Sequence, residues 1–165
     1  AMLYPFMKRY TYMPQVFLGA AFGMAVPMVF TAEIGIFPPY SAWMLFVAAV
    51  LWTVAYDTIY AMIDREDDIK IGVKSTAVLF GDLDRIIIAL IQSLVIGVLA
   101  MIARREQLGD IYYAGLVGAT ISALYQQYLI KDRDPINCLK AFRHNTWFGM
   151  SVFLGIAGHF ALGME

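Results

Sequence analysis

The polar residues of this chain fall into short clusters, and between the clusters apolar residues run almost unbroken for about twenty positions at a time. A helix needs roughly 20 mostly apolar residues to cross the hydrocarbon of a bilayer. Five stretches meet that requirement: residues 15–36, 41–63, 86–103, 111–130 and 146–162. Pro27 predicts a kink in the first and Glu33 is its one charge, while Pro38-Pro39 ends it. Asp82 and Asp84 introduce the third stretch, and Asn145 introduces the fifth. Two amphipathic pieces, 70–81 and 137–142, read as short interfacial helices. The pattern predicts an all-α, polytopic transmembrane helix bundle, one domain over residues 1–165, with about five spanning helices.

Composition agrees. The chain is 61% hydrophobic with a mean hydropathy of +0.66, against about 45–50% apolar for a soluble domain. A net charge of -1 says nothing by itself about nucleic acid, and no nucleic-acid partner is expected. A lone cysteine, Cys138, excludes an intrachain disulfide. The opening AMLYPFMKRY has no signal-peptide pattern; it reads as the end of an earlier helix, so a longer protein with this chain as its C-terminal part is expected. The basic residues are sorted. Of twelve Lys and Arg, only Arg104 and Arg105 fall on one side of the bundle. Lys8, Arg9, Arg65, Lys70, Lys74, Arg85, Lys131, Arg133, Lys140 and Arg143 share the other, which the positive-inside rule makes cytoplasmic.

On that basic side the second stretch ends in VAYDTIYAMIDREDD, residues 54–68. If the helix continues through it, at about 100° per residue, Asp57, Asp64 and Asp68 form one stripe with Tyr60 at its edge. Asp67 is turned away. Carboxylates at a helix C-terminus oppose the macrodipole and repel one another at i,i+4, and a carboxylate inside a span is costly and points to function. A hard divalent cation relieves both, and Mg²⁺ binds through one or two carboxylates plus phosphate oxygens. The plain alternative is neutralisation by Arg65, Lys70 and Lys74, which fits Glu66 and Asp67 better than Asp64, Asp68 or Asp57. Lys70 and Lys74, with the hydroxyls of Ser75 and Thr76, and Lys8 and Arg9 before the first span, could surround a cation-bound diphosphate. Each could equally be an interfacial anchor.

Three stretches carry a family resemblance: YPFMKRYT at 4–11, WTVAYDTIYAMIDREDD at 52–68, and KIGVKSTAVLFG at 70–81. They resemble, in order and spacing, the 4-hydroxybenzoate polyprenyltransferase family of the UbiA superfamily of intramembrane prenyltransferases. The resemblance implies a nine-helix fold around a lipid-accessible cavity in a bacterial inner membrane, with the active site toward the cytoplasm. It implies two aspartate-rich motifs holding Mg²⁺ and a polyprenyl diphosphate, whose chain is transferred to position 3 of 4-hydroxybenzoate in ubiquinone biosynthesis. Asp64 and Asp68 match the second motif, with Asp57 upstream as a further metal ligand. The first motif is absent, so a missing N-terminal half is expected to complete the site and the piece alone to be inactive. Asp64, Asp68 and Lys74 are the implied catalytic set. Lys8, Arg9, Lys70 and Tyr60 are the implied contacts of diphosphate or aromatic acceptor, with Arg9 a candidate for the benzoate carboxylate. Tyr4, Phe6, Tyr10, Tyr56 and Tyr60 could face an allylic cation, or simply pack.

Two other readings stay open. One is a prenyltransferase with another acceptor, haem or a different quinone precursor. The other is a cation-binding transporter or channel half, which expects ionisable residues deep in the later spans; Gln92, Gln126, Gln127 and His159 are nearly all that is there. His159 is expected to hydrogen-bond within the bundle. Gly19, Ala20, Gly23, Gly155 and Gly158 predict close helix contacts.

Overall fold

The computed structural model describes residues 10–162. Within them the chain is helical throughout its regular elements: α1 Pro14–Gly23, α2 Ala25–Ile34, α3 Tyr40–Ala61, α4 Arg65–Ile71, α5 Thr76–Phe80, α6 Asp84–Arg105, α7 Asp110–Leu129 and α8 Pro135–Ala161. The five predicted spans are present as α1 with α2, then α3, α6, α7 and α8. By length and apolarity, three segments suffice to cross a membrane: Pro14–Ile34, Tyr40–Ala61 and Thr76–Arg105. Helices α7 and α8 are long enough but more polar, with Gln126, Gln127, His144 and Asn145 among their residues.

The first span is interrupted where Pro27 predicts a kink, but Met24 stays right-handed helical and its N–H still bonds Ala20 O at 3.0 Å. Pro27 has no N–H for the carbonyl of Gly23, four residues earlier, and its ring crowds that carbonyl. The turn at Met24 between α1 and α2 lies where that bond would have been. The last span departs from expectation. The amphipathic piece at 137–142 is not separate but forms the first turns of α8, because Asp134 caps the helix by accepting from Asn137 N at 2.9 Å and Pro135 takes the first helical position, both strong start signals.

Lipid replaces water around these helices, so burial of apolar groups does not drive them together; close packing and hydrogen bonds do. The outward face of α6 shows this. Ile86, Leu90, Leu94 and Met101 are exposed, while Ile88, Gln92, Val95, Leu99 and Ile102 are buried. Gly19 faces the backbone of Val50, and Gly23 faces Phe46. The tightest crossing joins α7 and α8, where a Cβ on Gly115 would stand 2.6 Å from Ser151 O and one on Gly155 would stand 3.1 Å from Tyr112 O. At one end of the bundle His159 Nδ1 accepts from Gly109 N at 3.1 Å, as expected of a histidine used within the bundle, and Ser41 donates to Glu106.

Two apolar cores result. One surrounds Ile59, Ile88, Ile130 and Cys138 at the aspartate-bearing end. The other surrounds Ala48, Val95, Leu116 and Phe148 toward the opposite end. Gly115→Leu is expected to cost about 1–3 kcal/mol by overpacking the α7/α8 crossing. Gly97→Leu, with nothing within 4 Å of its Cβ, should leave stability unchanged. Thermal unfolding of both variants in detergent checks this.

Candidate active site

The aspartate stripe does not lie on one helix. Helix α3 stops at Ala61, the chain turns through Met62 and Ile63, and Asp64 occupies the N-cap position of α4. Asp57 is therefore one turn from the end of α3, half-buried, while Asp64 and Asp68 belong to α4. Their i,i+4 relation survives, sealed by Asp68 N donating to Asp64 O at 2.8 Å. The electrostatic expectation reverses. Glu66, Asp67 and Asp68 stand in the first turn of α4, where the macrodipole favours negative charge, not at a C-terminus where it opposes it.

The carboxylates divide by partner. Asp67 pairs with Lys70 at 3.0 Å, both exposed, and this pair holds the Lys70 ammonium above its ordinary pKa. Asp64 and Asp68 make no side-chain hydrogen bond or ion pair among the described residues. Neutralisation thus accounts for Asp67 but, contrary to expectation, not for Glu66, which like Asp64 and Asp68 has no side-chain partner among the described residues; Asp64 and Asp68 remain as adjacent hard oxygen donors. Among the described residues no three His, Cys, Asp or Glu side chains gather into a metal-holding group. Two adjacent carboxylates suit an ion that takes few protein ligands and fills its shell with phosphate oxygens and water, as Mg²⁺ does.

Arg65 does not serve the aspartates beside it. It reaches Asp82 at 3.4 Å and Asp84 at 3.6 Å. Asp84 is fully buried at the start of α6 and also accepts from Arg133 Nε at 3.0 and 3.1 Å and from Arg133 Nη2 at 2.8 Å. The carboxylate raises the guanidinium pKa of Arg133 further, mainly through this hydrogen bonding. Arg133 takes a left-handed φ of 56°, a cost of roughly 1–2 kcal/mol for a residue with a Cβ that the ion pair offsets. One buried carboxylate thus ties α4, the start of α6 and the α7–α8 connection together.

Lys74 sits just before α5, its ammonium 5.1 Å from the centre of the Tyr12 ring. The neighbouring hydroxyls are not free for a ligand, contrary to expectation. Ser75 caps α5 by accepting from Val78 N at 3.3 Å, and Thr76 Oγ1 lies 2.7 Å from Thr58 Oγ1, all of them buried. They fix Lys74 against α3. Lys8, Arg9, Tyr4 and Phe6 lie outside the described residues.

Aromatic side chains at one-turn intervals on α3 face α8. Trp52 and Tyr56 stand 5.6 Å apart, and Tyr56 and Tyr60 approach Phe142 at 5.9 and 5.0 Å. Beside them opens a cavity of about 720 Å³ whose polar lining is Arg143, Asn145 and Thr146 and whose walls include Trp52, Tyr56, Phe142 and Phe153. A second space of about 560 Å³, almost wholly apolar, lies beyond Trp52. Sequence reasoning missed Trp52, Phe142, Arg143 and Asn145. The Asp134-Pro135 start signal was the available clue, since it places Arg143 and Asn145 on the same helix as Gly149 and Phe153. Gln92, Gln126 and Gln127 hydrogen-bond to one another at 2.7 and 3.0 Å and form no ionisable route through the bundle.

Comparison with known proteins points one way. Residues 1–153 match the UbiA prenyltransferase family. A 4-hydroxybenzoate octaprenyltransferase of Marinobacter nauticus is 55% identical over 157 residues, covering 95% of this chain and 53% of that protein. One from Pseudomonas aeruginosa is 55% identical over 162 residues, covering 98% and 54%. The chain thus spans about half the length of these relatives. The apo structure of a UbiA homolog from Aeropyrum pernix K1 superposes with a TM-score of 0.74 at 18% identity, over 94% of this chain and 60% of that one, which shows the shared fold.

Removing the Asp84 carboxylate strands the Arg133 charge. Breaking a buried pair costs about 3–5 kcal/mol, and partial exposure of Arg133 (35% of its side chain) reduces this. Asp84→Ala is expected to lose about 2–3 kcal/mol of stability, read from thermal unfolding. Lys70→Ala, which breaks only an exposed pair, should leave unfolding unchanged.

Proposed function

The chain belongs to the UbiA prenyltransferase family, and from that membership we propose that it carries half of an active site transferring a polyprenyl group from its diphosphate to position 3 of 4-hydroxybenzoate, in ubiquinone biosynthesis. The observation that carries this reading is the pair Asp64 and Asp68, adjacent on α4 and without side-chain partners among the described residues, on the segment that directly follows the aromatic face of α3, whose Tyr56 walls a cavity with Phe142. Tyr60, four residues before Asp64, touches the same Phe142.

Each group has a part in the chemistry. Asp64 and Asp68 would hold Mg²⁺, which when bound would neutralise diphosphate charge and make it a better leaving group, with Asp57, seven residues earlier on α3, a further candidate ligand. Lys74, fixed by the Ser75 and Thr76 bonds, supplies a positive charge for the same oxygens, and Lys70, Lys8 and Arg9 are further candidates from the same side. The allylic C1–O bond breaks with its electron pair leaving on the diphosphate. The ring carbon ortho to the acceptor hydroxyl then forms the new C–C bond and loses its proton. Trp52, Tyr56 and Tyr60 present faces to a developing allylic cation, and the apolar walls keep water from it. Arg9 or Arg143 can pair with the benzoate carboxylate.

The reading places the protein in a bacterial inner membrane with this end toward the cytoplasm, supported by ten of the twelve basic residues falling on that side. An N-terminal half bearing the first aspartate-rich motif would face Asp64 and Asp68 across the cavity.

In the complete enzyme, Asp64→Ala and Asp68→Ala are each expected to bring Mg²⁺-dependent prenylation of 4-hydroxybenzoate to background; normal turnover in either would defeat the assignment. Residues 1–165 expressed alone are expected to give no transfer in membranes, and co-expression of the N-terminal half should restore it. Activity from the chain alone would show that a single motif suffices.

A further inference from the structure

A small cavity of about 260 Å³ opens between α6 and α7 at the basic end of the bundle. Arg85, Ile86 and Ala89 line it from α6, Gln127 from α7, and Asp82 and Arg133 from the flanking connections. None of these residues belongs to the candidate active site. On either side the helices turn apolar side chains outward, Ile86 and Leu90 on α6 and Leu124 and Tyr128 on α7, all exposed. The cavity thus has a polar floor at the membrane interface and lipid-facing flanks.

The charges around it are unevenly committed. Arg133 is tied to Asp84, and Asp82 accepts from Arg65. Arg85 has no carboxylate partner among the described residues. Its Nη1 donates to Lys131 O at 2.9 Å, and its Nε is buried without an acceptor. A side chain that merely snorkels keeps its charged head in water, and this guanidinium does not. Lys131 adds a second cation, its ammonium 4.8 Å from the centre of the Tyr128 ring, with the exposed Asp132 as its carboxylate at 3.8 Å.

A guanidinium with an unsatisfied N–H calls for an oxyanion, and phosphate offers charge together with acceptors spaced for the guanidinium fork. The volume lies below the roughly 300–1,000 Å³ of sites that enclose a whole drug-sized ligand, so it suits a headgroup whose remainder lies outside. Basic pockets between spanning helices on the cytoplasmic side take anionic lipid headgroups in this way.

We propose that the Arg85 cavity binds the headgroup phosphate of an anionic phospholipid, whose acyl chains lie along the outward faces of α6 and α7. Arg85 supplies the main contact and Lys131 the supporting charge. The site stands apart from prenyl transfer and does not depend on that reading.

The test uses the complete protein in detergent, with bound lipid counted by native mass spectrometry during titration with phosphatidylglycerol or phosphatidylcholine. Wild type should bind phosphatidylglycerol at least fivefold more tightly than phosphatidylcholine. Arg85→Gln should bring that ratio to within twofold of one. Ala89→Glu, which places a carboxylate one turn from Arg85 where it can pair at i,i+4, should do the same while keeping the arginine, so the result does not hang on one variant's folding. Lys140→Gln removes an equal charge at the same end outside the cavity and should leave the ratio within twofold of wild type. Inorganic phosphate at the same concentration should not displace the lipid. No preference in wild type, a preference kept in both cavity variants, an equal loss in Lys140→Gln, or displacement by inorganic phosphate overturns the proposal.

Discussion

A carboxylate with no exposed surface, Asp84, holds the aspartate-bearing end of this bundle in order. In low dielectric its charge is tolerable only if paired and hydrogen-bonded. Arg133 supplies most of that compensation and Arg65 adds to it. These two arginines come from segments far apart in sequence, so satisfying one buried charge fixes where α4 starts and where the α7–α8 connection lies. The candidate metal carboxylates inherit their position from this arrangement. Asp64 immediately precedes Arg65, and Arg65 is anchored away from it.

Function here depends on which charges remain uncommitted. Lys70 is occupied by Asp67, Arg65 by Asp82 and Asp84, and the hydroxyls of Ser75 and Thr76 by capping and by Thr58. Asp64 and Asp68, like Glu66, are acidic side chains of this segment left without such partners among the described residues. A stability-driven design would pair them. Leaving two adjacent carboxylates open costs mutual repulsion, partly offset by their place at the start of α4, and that residual cost is what a cation would relieve.

The spans were legible because a bilayer demands long apolar runs, and the runs are there. The break between α3 and α4 was not. Residues 54–68 contain neither Gly nor Pro, so periodicity carries the helix straight through Asp64. The break accompanies tertiary ties, the Thr58–Thr76 bond and the Arg65 pairs, that local pattern cannot show. The identities of Asp64 and Asp68 were readable from motif and spacing, but their placement on a second helix was not. The cavity was illegible for a related reason. Trp52 and Asn145 are 93 residues apart, and each alone looks like ordinary span filler.

The bare-backbone crossing of α7 and α8 has a consequence for assembly. These two helices are neighbours in sequence, joined by a short connection, and they form the most extensive helix–helix contact of the described residues. Contacts this local close at little entropic cost, so the pair can zip together as a hairpin while the chain is still being inserted. Its connection carries Arg133. One short connection thus serves two ends: it turns α7 back along α8, and it delivers the main counter-charge to the buried Asp84.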